Sequence, residues 1–258
     1  MKPLSLFQKK PLCIANWKQY LTLSESVRLY ARFQTLGTRY FSSCTIAVAP
    51  SAISLAMLSS KSSSVLLGAQ QGGIAQAGAY TGEISPRDIR TSGGSFVIVG
   101  HSERRQIFGE TDVLLRQRLE ATYEAGLVPV YCVGESRDIY TKGFRAVKKH
   151  LTTQLSLLKG LNGFQKGIVI AYEPVWSIGS GTTPTFAEAL AIYRSIREIL
   201  DGLGILDTKT RILYGGSVQK DNAAGFLHEG GFSGLLIGGA STRFADFRDI
   251  IHSLEHIV

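Results

Sequence analysis

Three side chains in this 258-residue chain could between them move a proton off carbon: Lys18, His101 and Glu173. A lysine offers a cation, a histidine a hydrogen-bonding electrophile and a glutamate a base. Together they can remove a proton next to a carbonyl and hold the negative charge that results. Each stands just beyond a short apolar run, as do Asn16, Gln70, Ser102, Glu103 and Glu135. Two further runs end in glycine, at Gly215-Gly216-Ser217 and at Gly238-Gly239, where backbone N–H groups can approach an anion such as a phosphate. Taken singly, each has a plainer reading. A glutamate at a strand end is usually solvated, an isolated histidine is usually satisfied in a core, and Lys18 could face solvent at the start of a helix.

The runs that must position these residues are eight: 12–17, 45–50, 64–70, 95–101, 127–135, 168–174, 211–217 and 234–240. They are rich in Val, Ile and Leu and do not alternate apolar with polar, the pattern of strands buried on both faces of a parallel sheet. Helical spacing fills several of the gaps. Phe144, Val147, Leu151, Leu155 and Leu158 form one stripe. Ala189, Ile192, Tyr193, Ile196, Ile199 and Leu200 form another, with Thr185 as N-cap and Gly202 near its end. Thr111-Asp112 starts a helix that Gly126 stops, and Phe247, Ile250, Ile251 and Leu254 line the last one. Strand–helix alternation repeated eight times predicts a closed parallel barrel whose site lies at the carboxyl ends of the strands. A doubly wound open sheet is the alternative, but the first strand ends Ala-Asn-Trp-Lys without a glycine-rich dinucleotide fingerprint.

Composition narrows the function. No run approaches the ~20 apolar residues of a membrane span, and Lys9 and Lys10 interrupt the apolar start, so no secretory signal is expected. Cys13, Cys44 and Cys132 are far apart with no CxxC, which supports neither a disulfide framework nor structural zinc and suits a reducing cytoplasm. The formal net charge is +8, but the basic residues are scattered. An anionic metabolite fits that field better than a nucleic acid. His252 and His256 have a spacing that can bind metal, yet no third ligand is evident, so a solvated helix face is the preferred reading. No metal is expected.

The segments 15–18 (ANWK), 78–85 (GAYTGEIS), 100–105 (GHSERR), 171–181 (AYEPVWSIGSG), 214–218 (YGGSV) and 237–241 (IGGAS) resemble those of the triosephosphate isomerase family, in that family's order and from first strand to last. The resemblance implies a single-domain (β/α)8 TIM barrel over residues 1–258, with a short extension at 1–10. It also implies cofactor-free interconversion of dihydroxyacetone phosphate and D-glyceraldehyde 3-phosphate through an enediolate, in glycolysis and gluconeogenesis, by a cytoplasmic homodimer.

On this resemblance Glu173 is the base, His101 the electrophile and Lys18 the cation, with Glu103 in a supporting electrostatic or relay role. The start of a helix after His101 would disfavour positive charge and leave a neutral imidazole to donate. Asn16, Trp17, Lys18, Gly179, Ser217, Gly238 and Gly239 would bind substrate, with Trp17 mainly packing. Residues 174–184 read as a lid, Ile178 and Leu236 as an apolar clamp on Glu173, and Tyr214 as a hydroxyl that holds the closed lid. Arg104 and Glu110 are expected to pair, and Glu135 to be structural. The loop at about 71–82 would enter the partner subunit, with Thr81 near its Lys18. Gln19, Tyr20, Gln71, Thr182, Pro184 and Ser233 depart from the family pattern, none of them in a catalytic position. Two other functions compete: a different phosphate-binding barrel isomerase or epimerase, and a non-catalytic barrel that only binds.

Overall fold

The computed structural model describes residues 6–40, 42–58, 64–205 and 207–255. Eight parallel strands close on themselves in sequence order. They are β1 (Leu12–Asn16), β2 (Thr45–Ala49), β3 (Leu66–Ala69), β4 (Phe96–Val99), β5 (Val128–Val133), β6 (Ile168–Tyr172), β7 (Thr210–Tyr214) and β8 (Gly234–Ile237). The closing step pairs Leu12 with Gly234 and Ala15 with Ile237, which rules out the open doubly wound sheet.

Almost every strand residue is buried, as the unalternating runs predicted. The two faces of each strand feed two cores. Leu12, Ile14, Phe96, Ile98, Val169, Leu213 and Leu236 fill the barrel itself. Cys13, Ala15, Val97, Ile170 and Ile212 meet the surrounding helices. Leu6 of the expected N-terminal extension is buried with the barrel filling; residues 1–5 lie outside the described residues.

Among the described residues ten α-helices flank the barrel: α1 (Leu23–Arg39), α2 (Ala52–Leu58), α3 (Pro86–Thr91), α4 (Ser102–Gln106), α5 (Asp112–Glu124), α6 (Arg137–Tyr140), α7 (Phe144–Leu155), α8 (Phe186–Gly202), α9 (Lys220–His228) and α10 (Phe244–His252). The start signals read from sequence act as capping groups. Thr185 and Glu188 form a reciprocal capping box at α8, and the Thr111 hydroxyl accepts the Leu114 N–H at α5. Gly126 ends α5 with φ at +77°. The stripe predicted on α7 needs one correction. Val147, Leu151 and Leu155 are buried, but Phe144, the first residue of α7, is half exposed.

Each predicted run overshoots its strand at the carboxyl end: β4 stops at Val99, β5 at Val133 and β6 at Tyr172. Most of the residues that drop out of the ladder are polar or glycine, among them Gln70, His101, Glu135, Glu173 and Ser217, and they turn into the rim of the barrel instead of pairing.

Candidate active site

Lys18 sits on a turn that costs backbone energy. Its φ is +47°, the only positive value at a non-glycine residue among the described residues. Two contacts hold it there. Asn16 Oδ1 accepts the Lys18 N–H at 3.2 Å, and Gln70 Nε2 donates to the Lys18 carbonyl at 2.7 Å and to the Ala49 carbonyl at 3.0 Å. The turn throws the ammonium across the rim to Glu103 Oε1, 2.6 Å away. Trp17, between Asn16 and Lys18, turns the other way. Its ring is buried edge-on against Phe33 with centroids 5.6 Å apart, so it anchors its neighbours and does not line the cavity.

His101 caps α4. Its Nδ1 accepts the Glu103 N–H at 3.2 Å, which occupies that nitrogen's lone pair and leaves the ring hydrogen on Nε2. Glu103 Oε2 also lies 3.6 Å from Nδ1, too long for a hydrogen bond. We therefore assign a neutral imidazole with Nε2–H directed inward. That nitrogen stands 3.2 Å from Glu173 Oε1.

Glu173 is 2% exposed. Its other oxygen accepts the Ser102 N–H, the first amide of α4, at 2.9 Å. A buried carboxylate without such donors would be expensive; here one imidazole and one helix-start amide satisfy it. The Cys132 thiol inside the barrel also faces it, and burial, followed by the charge of Glu173, pushes that thiol well above its ordinary range. At Gly215 an added Cβ would lie 3.1 Å from Glu173 Cγ, so glycine there leaves the carboxylate room to move.

Lys18, His101 and Glu173 meet in a cavity of about 630 Å³ that is also lined by Asn16, Ile178, Gly179, Ser217, Leu236, Gly238 and Gly239. All the residues expected to bind substrate, Trp17 apart, therefore face one space. Its size falls in the usual range for a small-molecule site. On one side is a proton-handling group; on the other are glycine turns suited to an anion.

Ile178, Gly179 and Gly181 of the 174–184 segment form part of its wall, the two glycines at φ +70° and +74°. The segment is pinned near its amino-terminal end. Trp176 Nε1 and the Tyr172 hydroxyl both donate to Glu135 Oε1, at 2.7 and 3.1 Å, while Ser217 Oγ donates to the Ser177 carbonyl at 2.5 Å. Glu135 is thus structural, as expected, and its burial raises its carboxyl pKa. Tyr214 is buried beneath this segment beside Gly216.

Other expectations resolve locally. Arg104 Nε donates to Glu110 Oε1 at 2.6 Å, and Arg118 joins the same carboxylate at 3.2 Å. Gln71 donates to Glu83 at 3.1 Å, and Ser233 Oγ accepts the Ile212 N–H at 3.1 Å, so two of the departures from the family pattern have found structural partners. His252 Nδ1 lies 2.7 Å from Glu255 and 3.3 Å from the Tyr40 hydroxyl. His256 lies outside the described residues, and among those described no group of three potential ligands could hold a metal. The sequence reading gave no role to the Ser102 amide, to Gln70 or to Cys132. Gln70 and Ser102, both at strand ends, carried a positional signal; Cys132, inside the fifth run, carried none.

The family model described as triosephosphate isomerase matches residues 11–254. Proteins named triosephosphate isomerase resemble the chain along almost its whole length. The one from Herpetosiphon aurantiacus is 40% identical over 94% of this chain and 98% of its own. That from Bdellovibrio bacteriovorus is 38% identical over 93% and 98%. That from Dictyoglomus turgidum is 37% identical over 95% and 100%.

Proposed function

The chain belongs to the triosephosphate isomerase family and is an enzyme that interconverts the two triose phosphates; we propose that it does so by proton transfer through Glu173, His101 and Lys18. One observation carries this reading: the three groups converge on a single cavity with a neutral imidazole N–H beside a buried carboxylate.

The substrate's phosphate would sit on the turns at Gly179, Ser217 and Gly238-Gly239, with Lys18 between phosphate and carbonyl. His101 Nε2–H then points at the carbonyl oxygens, and the Lys18 ammonium offsets the charge that develops there. Glu173 leaves the Ser102 amide, reaches the carbon-bound proton and returns it to the neighbouring carbon. His101, neutral throughout the resting state, moves protons between the two oxygens. Glu103 holds the Lys18 ammonium at the rim until an anion arrives. Closure of residues 174–184 would exclude water and keep the phosphate from being eliminated. No cofactor or metal enters any step. A sugar isomerase for longer chains would need the same cradle but a wider reacting end, and a barrel that only binds has no use for a base and an electrophile held 3.2 Å apart.

The chain is read as one domain and, in solution, as a homodimer working in the cytosol. Among the described residues no helix is long and apolar enough to cross a membrane. A second cavity, of about 610 Å³, opens behind Lys18 and is lined by Tyr20, Gln70, Gln71, Ile84 and Phe108. Exposed Tyr20, Tyr80, Ile107 and Phe108 add apolar surface, and the 71–82 loop of a second copy would fill it. Light scattering at working concentration is expected to give twice the chain mass; a fully active monomer refutes the dimer.

The reaction is tested by converting glyceraldehyde 3-phosphate with coupling to NADH oxidation by glycerol-3-phosphate dehydrogenase, in parallel with a run in D2O. Turnover is expected, with deuterium at the carbon that receives the proton to the extent that the Glu173 carboxyl exchanges with solvent before handing it back. A folded protein that does not turn over contradicts the reading.

A further inference from the structure

Glu173 owes its place to more than its own strand. Its N–H donates to the Val133 carbonyl at 2.8 Å, and its backbone then lies against Gly134. The packing there is so close that an added Cβ on Gly134 would run into the Glu173 carbonyl. Gly134 is in turn gripped from outside the barrel by α7. Gln154 Oε1 accepts the Gly134 N–H at 2.8 Å, and Gln154 Nε2 donates to the Gly134 carbonyl at 3.2 Å. One turn earlier on the same face, His150 Nε2 donates to that carbonyl at 3.2 Å. Burial depresses the pKa of His150, which favours the neutral ring.

We propose that Gln154 is a positioning residue for the reaction: its amide clamps Gly134, and Gly134 is the seat that sets Glu173 against His101. The proposal rests on Glu173 being the base. A primary amide offers a donor and an acceptor side by side, the pattern needed to hold both polar groups of one peptide residue. Gln154 is 6% exposed and meets nothing on the substrate side of the wall. The backbone of α7 is held separately. Tyr131 donates to the Gln154 carbonyl at 2.8 Å and accepts from Arg105 at 3.1 Å, bonds that steady the helix without touching Gly134. Loss of the Gly134 clamp itself lets Glu173 drift from His101, and sub-ångström placement governs the rate of proton transfer.

The test is a double-mutant cycle on kcat with Gln154→Leu and Glu173→Gln. Gln154→Leu alone is expected to lower kcat roughly tenfold to a hundredfold while KM moves by no more than about twofold. In the Glu173→Gln background the same substitution is expected to change the residual rate by less than about twofold, because nothing remains for the clamp to aim. Tyr131→Phe serves as the comparator. It removes a hydrogen bond from the same helix but leaves the Gly134 clamp, and should reduce melting temperature without the kcat loss. Should Gln154→Leu fail to accumulate folded, His150→Leu removes the outer contact on Gly134, with a kcat loss of about threefold expected, again silent without the base. An equal fractional loss in both backgrounds, or a kcat loss in Tyr131→Phe matching that of Gln154→Leu, overturns the proposal. Near-normal kcat in Glu173→Gln itself is a separate failure, that of the base on which the proposal rests.

Discussion

The two ends of the barrel handle charge in opposite ways. At the amino end, Arg211 on β7 enters the interior and donates to the carbonyls of Gln8 and Lys10, the latter at 2.7 Å. Burial pulls its pKa down to about 10. Among the described residues no carboxylate pairs with it, and it plugs the barrel on chain oxygens. At the carboxyl end, Lys18, Glu103, His101 and Glu173 satisfy one another and two helix-start amides around an open cavity. Partners that border the open cavity can be exchanged for substrate, as when Glu173 leaves the Ser102 amide; the carbonyls that hold Arg211 border no such cavity. The same parallel barrel therefore supplies a sealed floor and a reactive rim, and the difference lies in what the polar groups are bonded to.

That contrast can be broken from either end. Among the substitutions that probe this contrast, the largest effect is expected from Lys18→Met, which takes the cation out of the rim. kcat/KM should fall roughly a hundredfold to a thousandfold, as for loss of a preorganised electrostatic group, with little change in melting temperature, since Glu103 is exposed enough to be solvated. Steady-state kinetics and a thermal melt on one preparation decide it. A loss of fold without a change in activity of the folded fraction would place Lys18 with Arg211.

At the floor the readouts should swap. Arg211→Met leaves the Gln8 and Lys10 carbonyls without their donor, and the melting temperature should drop by about 2–4 °C per kcal/mol lost in a chain of this size. kcat/KM of the folded enzyme should be unchanged. A catalytic defect would show that the ends are coupled.

The smallest effect sharpens the contrast inside the rim itself, where Glu135 is a carboxylate that does no chemistry. Its folded pKa is raised by burial. As pH climbs from the ordinary carboxylate range, the unfolded chain loses this proton first. Stability therefore falls through the window up to the raised folded value, and the loss persists above it. Glu135→Gln removes that cost and keeps an acceptor for Trp176 and Tyr172. It should melt at the same temperature as the parent at low pH and slightly higher at neutral pH, a difference read from melts across pH 4 to pH 8, the range in which a buried carboxyl titrates. A variant that melts lower at neutral pH contradicts the assignment.

Much of this was legible in the sequence because it depends on period and position. Continuous apolar runs announced strands buried on both faces, and the polar residues that ended them announced the rim. Thr111, Thr185 and Gly126 marked helix ends through local hydrogen bonds and a left-handed turn, chemistry that lies within a few residues. Lys18, His101 and Glu173, with 155 positions between the first and the last, could be gathered at one rim because each follows a strand of a closed barrel, and the family resemblance gave each its role. What stayed hidden has no sequence signature at all. Ser102 contributes an amide that any residue could supply, Phe144 keeps the apolar spacing of its helix yet is exposed at its first position, and Gln154 reads as an ordinary helix residue until the fold sets it beside Gly134. The strain at Lys18 is likewise invisible, because it is held by Gln70 at the end of β3, two strands away.

The central claim is that Glu173, parked on Ser102 and His101, is the base. Its most direct test is the kcat of Glu173→Gln beside that of the parent enzyme, with melting temperatures matched. Glutamine keeps the size and the contact to the Ser102 amide but cannot take a proton. The account predicts a fall of at least about a thousandfold, within the range assigned to loss of a positioned base, with the fold intact. A folded variant that turns over within about tenfold of the parent, less than any positioned base contributes, would show that the proton leaves carbon by another route.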